Sequence, residues 1–282
     1  YGFDSLLLAD HFMQYARVGG PEQPILESWT TLGALSAVTE KLKLGTLVTC
    51  NSFRYPSHLA KIASTFDVLS HGRLILGIGA GSLDFEHTAY GVPLYSLEER
   101  LRRLDESIAI ILKLWTQDQV SFEGDYYKIT NAFCNPKPVQ SPHPPIIIGG
   151  NSKGILELVA KHGLGCNLTG GRQNVERLLS TLKKCCVRLS RDYSDIIKTS
   201  RINILVGKNE HDVMRRLARY RPPNVAADHY IFNTLVGTPQ SIAAGLQDLV
   251  DAGLDYVFIA APDIHHVETL RTIAEEVIPL VK

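Results

Sequence analysis

The sequence predicts an α/β fold, and among such folds it favours a (β/α)8 (TIM) barrel that lacks its first strand-helix unit. Apolar runs typical of buried parallel strands alternate with amphipathic helical segments along all 282 residues. Polar residues follow nearly every run, at the strand ends where barrel enzymes carry their sites. We count seven units where a barrel needs eight, and the chain opens directly before a strand. An open doubly wound sheet is the alternative, since it would explain seven strands but not the polar loops.

The first half of the chain contains three predicted strands and two predicted helices. The strands cover residues 5–10, residues 43–48 and the run that begins at residue 73. The helices cover residues 28–40 and about 57–69, and each opens on a serine, Ser28 or Ser57, that is a good N-cap residue. Apolar residues of the first helix lie on one face, so we expect it to pack against the sheet.

The second half continues the alternation after one interruption. Residues 98–115 form a predicted helix, and later strands are predicted over residues 145–149, 166–169, 199–206 and 256–260. Helices are predicted to end near residue 162 and to cover residues 175–189, 210–218, 238–252 and 265–281, whereas residues 222–233 have no regular pattern. The segment of about 118–145 is rich in Pro and aromatic residues, so we expect an excursion outside the barrel with a hairpin around Gly124 and Asp125. We expect residues 1–282 to form one domain.

Composition excludes several classes of function. The 29 basic residues balance the 29 acidic ones, so there is no excess positive charge for binding nucleic acid. No apolar run approaches the ~20 residues that span a bilayer. The five cysteines form no CxxC pair, which argues against a disulfide framework and a zinc site, and His265 and His266 lack metal-ligand spacing. We therefore expect a cytoplasmic protein that binds neither metal nor membrane.

The stretch from Arg73 to Gly91 carries the strongest local signal of a site. It reads RLILGIGAGSLDFEHTAYG, an apolar strand that breaks into the glycines Gly79 and Gly81. Glycine lets the backbone turn sharply and lets a flat ligand approach it. Polar side chains, including Ser82 and Glu86, follow at once. An ordinary strand-loop connection that uses glycine for packing remains the alternative.

Several motifs resemble the bacterial luciferase-like monooxygenase superfamily, in particular its branch that uses the deazaflavin coenzyme F420. The motifs are GFDSLLLADHF, KLKLGTLV…FRYPSHLAKIASTFDVLSHGRLILGIGAG…EHTAYG and PPIIIGG. The resemblance implies the barrel fold, and full-length relatives carry an extra strand and helix before the GFD segment. The resemblance therefore supports the prediction that the first strand-helix unit is missing from this sequence.

The resemblance also implies roles for residues near the predicted ring site. His11 and Asp10 correspond to an acid-His pair, and His11 is suited to proton transfer because imidazole titrates near neutrality. Glu86 is a further catalytic candidate. Relatives carry a bulge with a non-prolyl cis peptide behind the ring, which in this chain would join Leu47 to Val48 and be followed by Thr49. Gly79, Gly81 and Ser82 would pass beside the ring, although many relatives have Trp and Asn where this chain has Ser82 and Leu83.

A phosphate cradle is implied after the strand at residues 145–149. Gly149, Gly150, Asn151 and Ser152 open a helix, where free N–H groups and the positive helix end suit a phosphate. Relatives also use the following strand end, which corresponds to Gly165, Cys166 and Asn167, although this chain lacks their Asp-Gly-Trp. Arg172, one loop further, could add positive charge.

Three functions remain open at this point. The first is an oxidoreductase that transfers hydride between F420 and a small organic substrate. The second is a monooxygenase that uses reduced FMN and oxygen on the same scaffold. The third is a flavin-binding protein without turnover, against which the retention of His11 argues. We expect a homodimer with a small-molecule substrate.

Overall fold

The computed structural model describes residues 1–14 and 19–282. Ten strands occur in this described part of the chain, and most of them coincide with the predicted apolar runs. They are β1 (Ser5–Leu8), β2 (Lys43–Cys50), β3 (Leu74–Gly79), β4 (Val120–Glu123), β5 (Lys128–Ala132), β6 (Ile146–Gly149), β7 (Gly165–Leu168), β8 (Lys198–Val206), β9 (Leu235–Gly237) and β10 (Tyr256–Ala260).

Ten α-helices connect or follow these strands over the same described ranges. They are α1 (Ser28–Val38), α2 (Pro56–Leu69), α3 (Asp84–Ala89), α4 (Leu97–Thr116), α5 (Lys153–His162), α6 (Arg172–Arg188), α7 (Glu210–Tyr220), α8 (Ala227–Phe232), α9 (Pro239–Asp251) and α10 (Val267–Thr272). The predicted closing helix is correct only at its start, because after α10 the chain forms a π-helical turn (Ile273–Val277) and then a 3-10 turn (Ile278–Leu280) that contains Pro279.

The main sheet is parallel and its strands follow one another in chain order. The order is β1-β2-β3-β6-β7-β8-β10, with β9 paired to the end of β8. A doubly wound sheet reverses its strand order at a switch point. This sheet has no reversal in the described residues, so the order supports the barrel and excludes the doubly wound alternative.

The sheet is open between its first and last strands, as predicted. In the described part of the chain, β1 forms its ladder with β2 and β10 forms its ladder with β8. Side chains join the two edges instead: the hydroxyl of Tyr256 donates to Asp4 Oδ2 at 2.7 Å and lies 3.0 Å from Ser5 Oγ. The absence of a preceding strand-helix unit stays a prediction.

The predicted excursion lies apart from the main sheet. Strands β4 and β5 form a separate antiparallel hairpin whose turn includes Gly124 and Asp125. The carboxylate of Glu106 on α4 accepts hydrogen bonds from the N–H groups of Asp125, Tyr126 and Tyr127. The hairpin is therefore fixed to the outside of the fold, and residues 133–138 belong to no strand, as expected.

Local structure differs from the prediction at two helix starts. Glu27, not Ser28, caps α1, because its carboxylate accepts from the N–H of Thr30 at 2.6 Å. Helix α2 begins at Pro56, one residue before Ser57, since proline fits the first helical turn, where its missing N–H is not needed. The short elements α3, α8 and β9 were not predicted from the sequence.

Candidate active site

The carboxyl ends of β1 and β3 bring together His11 and Glu86, which lie 75 positions apart in the sequence. His11 Nδ1 lies 2.9 Å from Glu86 Oε2. The other oxygen, Oε1, accepts from the backbone N–H groups of Phe12 and Met13. Glu86 is only 1% exposed, so these donors compensate the loss of water around its carboxylate. Because a carboxylate only accepts, a hydrogen bond between these two atoms needs the proton of the imidazole on Nδ1.

Asp10 precedes His11 but does not supply its carboxylate partner. Asp10 is 1% exposed, and Arg54 donates two hydrogen bonds to it, at 2.6 and 3.0 Å. Ser28 Oγ and the N–H of Cys50 donate to the same carboxylate. Asp10 ties the ends of β1 and β2 to the start of α1 and positions the backbone before His11, and its place in the catalytic group stays a prediction.

Arg54 is the charged residue that the sequence analysis missed. Besides Asp10, it contacts Glu27 Oε1 through Nη2 at 2.7 Å, and its side chain is 10% exposed. Burial alone would lower the pKa of Arg54, but the hydrogen bonds and charge of Asp10 raise it on balance. Asp10 follows β1 and Arg54 follows β2, so the sequence does contain a signal: residues of opposite charge after two neighbouring strands.

The predicted bulge lies at the end of β2. The peptide bond between Leu47 and Val48 is cis, and the register of β2 against β3 shifts between Thr46 and Thr49. Thr49 is fully buried, and its hydroxyl donates to Thr46 Oγ1 at 2.9 Å. Leu47 and Val48 are half-buried.

Val48 changes the interpretation of two glycines. A Cβ on Gly79 would lie 2.7 Å from Val48 Cγ2, and a Cβ on Gly149 would lie 2.8 Å from Val48 Cγ1. The space left by these missing side chains is therefore filled by Val48. We expected Gly79 to admit a flat ligand directly, but the two glycines admit Val48, which covers the sheet at this point.

Gly81 and Ser82 lie just beyond β3. Gly81 has φ +82°, and a Cβ there would lie 2.7 Å from Ser52 Oγ and 3.0 Å from Cys50 Sγ, so only glycine fits. Burial raises the pKa of the Cys50 thiol. Ser82 is exposed. The polar run that was predicted as a loop then becomes α3, which carries Glu86 towards His11.

The turn before α5 offers backbone donors, but not from every predicted residue. The N–H of Gly150 donates to the carbonyl of Asn167, and the N–H of Ile155 donates to Ser152 Oγ. The Asn151 side chain bridges to Thr169. In the described part of the chain, the N–H groups of residues 151–154 have no hydrogen-bond partner, as is usual for the first turn of a helix. An anion at this turn would meet these donors.

Two predicted cradle residues are displaced from the strand end. Gly149 pairs with Asn167, whereas Gly165 and Cys166 pair with residues further from that edge. Cys166 is fully buried, and burial raises its pKa to about 12. Gly165 and Cys166 therefore lie inside β7, and of the three residues that the resemblance implies only Asn167 is next to the strand end at Leu168. Arg172 pairs with Glu176 and Asp248, so its charge is already compensated.

The described residues contain neither a metal-binding cluster nor a membrane-spanning helix. No group of three or more His, Cys, Asp or Glu side chains could hold a metal ion among residues 1–14 and 19–282. Over the same residues, no helix has the length and apolarity to cross a membrane.

Comparison with known proteins gave consistent matches. Residues 1–234 match the family model for luciferase-like monooxygenase. The F420-dependent glucose-6-phosphate dehydrogenase of Amycolatopsis mediterranei (strain U-32) is 28% identical over 307 residues, which covers 99% of this chain and 90% of that protein. An F420-dependent secondary alcohol dehydrogenase, solved with an F420-acetone adduct, has a TM-score of 0.86 at 21% identity, covering 100% of this chain and 91% of the other. A monooxygenase from Streptomyces bottropensis has a TM-score of 0.79 at 24% identity, covering 99% and 88%.

Proposed function

Because the chain belongs to the luciferase-like monooxygenase family, we propose that it is an oxidoreductase that transfers a hydride between coenzyme F420 and a small organic substrate. The observation that carries this proposal is the contact between His11 and the buried carboxylate of Glu86 at the open end of the sheet. The names of its relatives, F420-dependent dehydrogenases, support the choice of coenzyme.

His11 would move the proton that accompanies the hydride. The neutral ring holds its proton on Nδ1 against Glu86, so Nε2 can accept the proton of a substrate hydroxyl. The imidazolium that results is stabilised by the same carboxylate. Glu86 therefore sets the tautomer and orientation of His11 and holds the charge close to where it appears.

The residues present fit the coenzyme at two places. Val48 covers Gly79 and Gly149 with an apolar surface on which a flat ring can lie. The N–H groups at residues 151–154 suit a phosphate at the start of α5. When bound, F420 supplies the atom that accepts or donates the hydride. Leu47, Gly81 and Ser82 line the path between these places in this proposal, and the buried Thr49 supports the bulge beneath it, whereas Gly165 and Cys166 do not contact the coenzyme.

A binding titration tests the coenzyme directly. F420 and FMN are titrated separately into the purified chain, with fluorescence or calorimetry as the readout. Tight binding of F420, with weak or no binding of FMN, is the expected result. Preferential binding of reduced FMN together with oxygen consumption would instead favour the monooxygenase. Binding without turnover against a panel of alcohols would favour a non-catalytic flavin-binding protein.

Four further expectations accompany this proposal. We infer that residues 1–282 form one domain, because one buried apolar cluster includes side chains from the first strand units to the last turn. We also propose a homodimer that acts in the cytoplasm on a small-molecule substrate. Light scattering after size-exclusion chromatography measures the mass, and a mass of one chain would contradict the dimer.

A further inference from the structure

The strand β8 places a charged side chain on the inner face of the sheet. Ile202, Ile204 and Val206 belong to the buried apolar cluster that the sheet shares with its helices. Successive side chains of a strand point to opposite faces, so Arg201 and Asn203 lie on the other face, which a barrel turns towards its interior. Arg201 therefore points into the interior of the barrel.

The neighbouring strand β7 agrees with this orientation. Cys166 and Leu168 belong to the same apolar cluster, so Asn167 between them faces inwards. The hydroxyl of Thr199 donates to Asn167 Oδ1 at 3.2 Å. Thr199 therefore shares the inner face with Asn167, and Arg201 is the next residue of β8 on that face.

Arg201 lies towards the end of the barrel that carries the proposed site. Gly149 pairs with Asn167, and Asn167 pairs with Thr199. Val48 covers the sheet at Gly149, and Arg201 is one inward position nearer the carboxyl ends of the strands than this row. The side chain of Arg201 therefore starts next to the surface that we propose for the ring, on its open side.

The strand β10 lies between Arg201 and the opening of the sheet. Phe258 of β10 is in register with Arg201, and its ring centroid lies 4.9 Å from that of Tyr256. The hydroxyl of Tyr256 lies 3.0 Å from Ser5 Oγ across the opening. Strand β10 therefore faces β1, which leads to His11. A molecule that contacts both Arg201 and His11 would lie beside Phe258.

An arginine is unusual among the inner residues of a barrel. Val, Ile and Leu usually fill these layers, whereas Arg201 is half-buried and carries a charge at every physiological pH. Taking such a charge out of water costs free energy. Because a planar guanidinium binds a carboxylate through two parallel N–H donors, the position suits recognition of an anionic group on the substrate.

The cations that follow β7 and β8 bear on which anion this is. Arg172, Lys208 and Arg216 each lie within 3.7 Å of a carboxylate oxygen of the protein. The inner face of β8 contributes one further cation, Arg201. One guanidinium matches the single charge of a carboxylate, whereas a phosphate monoester carries a charge of about −1.5 to −2 at pH 7. These cations favour a carboxylate over a phosphate.

We propose that Arg201 binds the carboxylate of the substrate and that the substrate is a small hydroxy acid. This inference rests on the proposed function and adds the class of alcohol to it. The hydroxy acid loses a hydride from its carbinol carbon to oxidised F420 and loses its hydroxyl proton to His11. It becomes a keto acid, and its carboxylate stays unchanged on Arg201.

The first experiment compares an acid with its neutral counterpart. The ratio kcat/KM is measured with F420 for L-lactate and for L-lactamide, on the unmodified chain and on Arg201→Gln. The unmodified chain should prefer the acid, and Arg201→Gln should lower kcat/KM for the acid by about 100-fold, because a charge-assisted pair of hydrogen bonds is lost. The value for the amide should change little. The same comparison with 3-hydroxybutyrate and its amide covers a longer acid.

Two further variants separate substrate binding from folding. Lys208→Gln removes a cation that follows β8, but Lys208 is 62% exposed and contacts Glu268, so the preference for the acid should stay unchanged. Arg201→Lys keeps the charge without the planar fork and should retain part of the preference. Melting temperatures are measured for all variants, and Arg201→Lys decides the case if Arg201→Gln is unfolded at the assay temperature.

Three results would overturn the inference. The first is an equal kcat/KM for acid and amide on the unmodified chain. The second is a loss in a folded Arg201 variant that is the same for acid and amide, which would mean a structural role. The third is a preference for glucose 6-phosphate over glucose that depends on Arg201, because the anion would then be a phosphate.

Failure of the proposed function gives a different result, in which no alcohol transfers a hydride to F420. Pyruvate is then titrated into the chain alone, with calorimetry as the readout. Binding that Arg201→Gln weakens supports the carboxylate site. Absence of binding, or binding that is equal in both chains, overturns it.

Discussion

The ends of β1 and β2 differ from the ends of β6 and β7 in where their polar groups find partners. At the first region, Asp10 and Glu86 are buried, and protein donors surround both carboxylates. At the second region, the N–H groups of residues 151–154 have no partner in the described chain. In the proposed function, the first region holds the proton-transfer group in one position, and the second binds an anion from outside.

The largest expected effect is on turnover in the first region. His11→Ala removes the group that exchanges the proton and should lower turnover by about 10² to 10⁴-fold at saturating coenzyme. The dissociation constant of F420 should change little, because the donors at residues 151–154 are untouched. Steady-state kinetics and a binding titration measure the two quantities.

An exposed histidine serves as the control for this change. His265→Ala lies outside the two regions and should leave turnover as it is. Normal turnover of His11→Ala under saturating coenzyme would mean that His11 only orders its loop, and the proposed mechanism would be wrong.

The next prediction compares the stability lost when a buried ion pair is broken with the stability lost when exposed ion pairs are broken. Arg54→Met leaves the carboxylate of Asp10 buried without its cation, which should lower the free energy of unfolding by about 3–5 kcal/mol. Arg172→Gln breaks exposed pairs with Glu176 and Asp248 beside the second region, and should cost at most about 1 kcal/mol. Urea denaturation of both variants measures the difference. Equal losses would show that the two regions do not differ in the way described.

A smaller effect is expected where the two regions meet at Val48. Gly149→Ala places a methyl group 2.8 Å from Val48 Cγ1, and the β-branched valine has few other rotamers to adopt. We expect a loss of about 1–3 kcal/mol in the free energy of unfolding. Gly33→Ala is the control: no atom lies within 4 Å of its Cβ, and in the middle of α1 it should gain about 0.5–1 kcal/mol. A Gly149→Ala variant as stable as the original would mean that Val48 moves freely.

Most of the fold could be predicted from the sequence, because long segments with a regular pattern of apolar residues indicate a helix or a strand without knowledge of their neighbours. The strand β3 and the helix α4 were found within one or two residues of their ends. The short elements α3 and α8 were missed, since helices of six residues have no stable structure alone and form only through contacts that the chain makes elsewhere.

The site was predictable in its residues but not in its contacts. His11, Asp10 and Glu86 were all named, with Asp10 and His11 as the acid-His pair that the family resemblance implies, but the sequence did not show that His11 contacts Glu86, 75 positions away. The glycines were interpreted as space for a ligand, since a sequence does not show which neighbour fills that space. The cis peptide at Leu47 was expected from the family resemblance alone and is confirmed.

The smallest effect concerns the anion site of the second region. The sequence suggests Gly150→Asp as a way to repel a phosphate, but Gly150 has φ +137° and its N–H donates to Asn167, so any substitution there would strain the turn.

Ser152 is the better position, because its side chain already accepts from the N–H of Ile155 as the N-cap of α5. Aspartate and asparagine are both good N-cap residues, so Ser152→Asp adds one negative charge while Ser152→Asn adds none, and the melting temperature should change little in either. We expect Ser152→Asp to raise the dissociation constant of F420 by about tenfold, or ~1.4 kcal/mol, and Ser152→Asn to leave it within about twofold. The effect should shrink at high salt, because the added charge is close to water. Equal binding by both variants would place the phosphate away from residues 151–154 and would leave the role of His11 untouched.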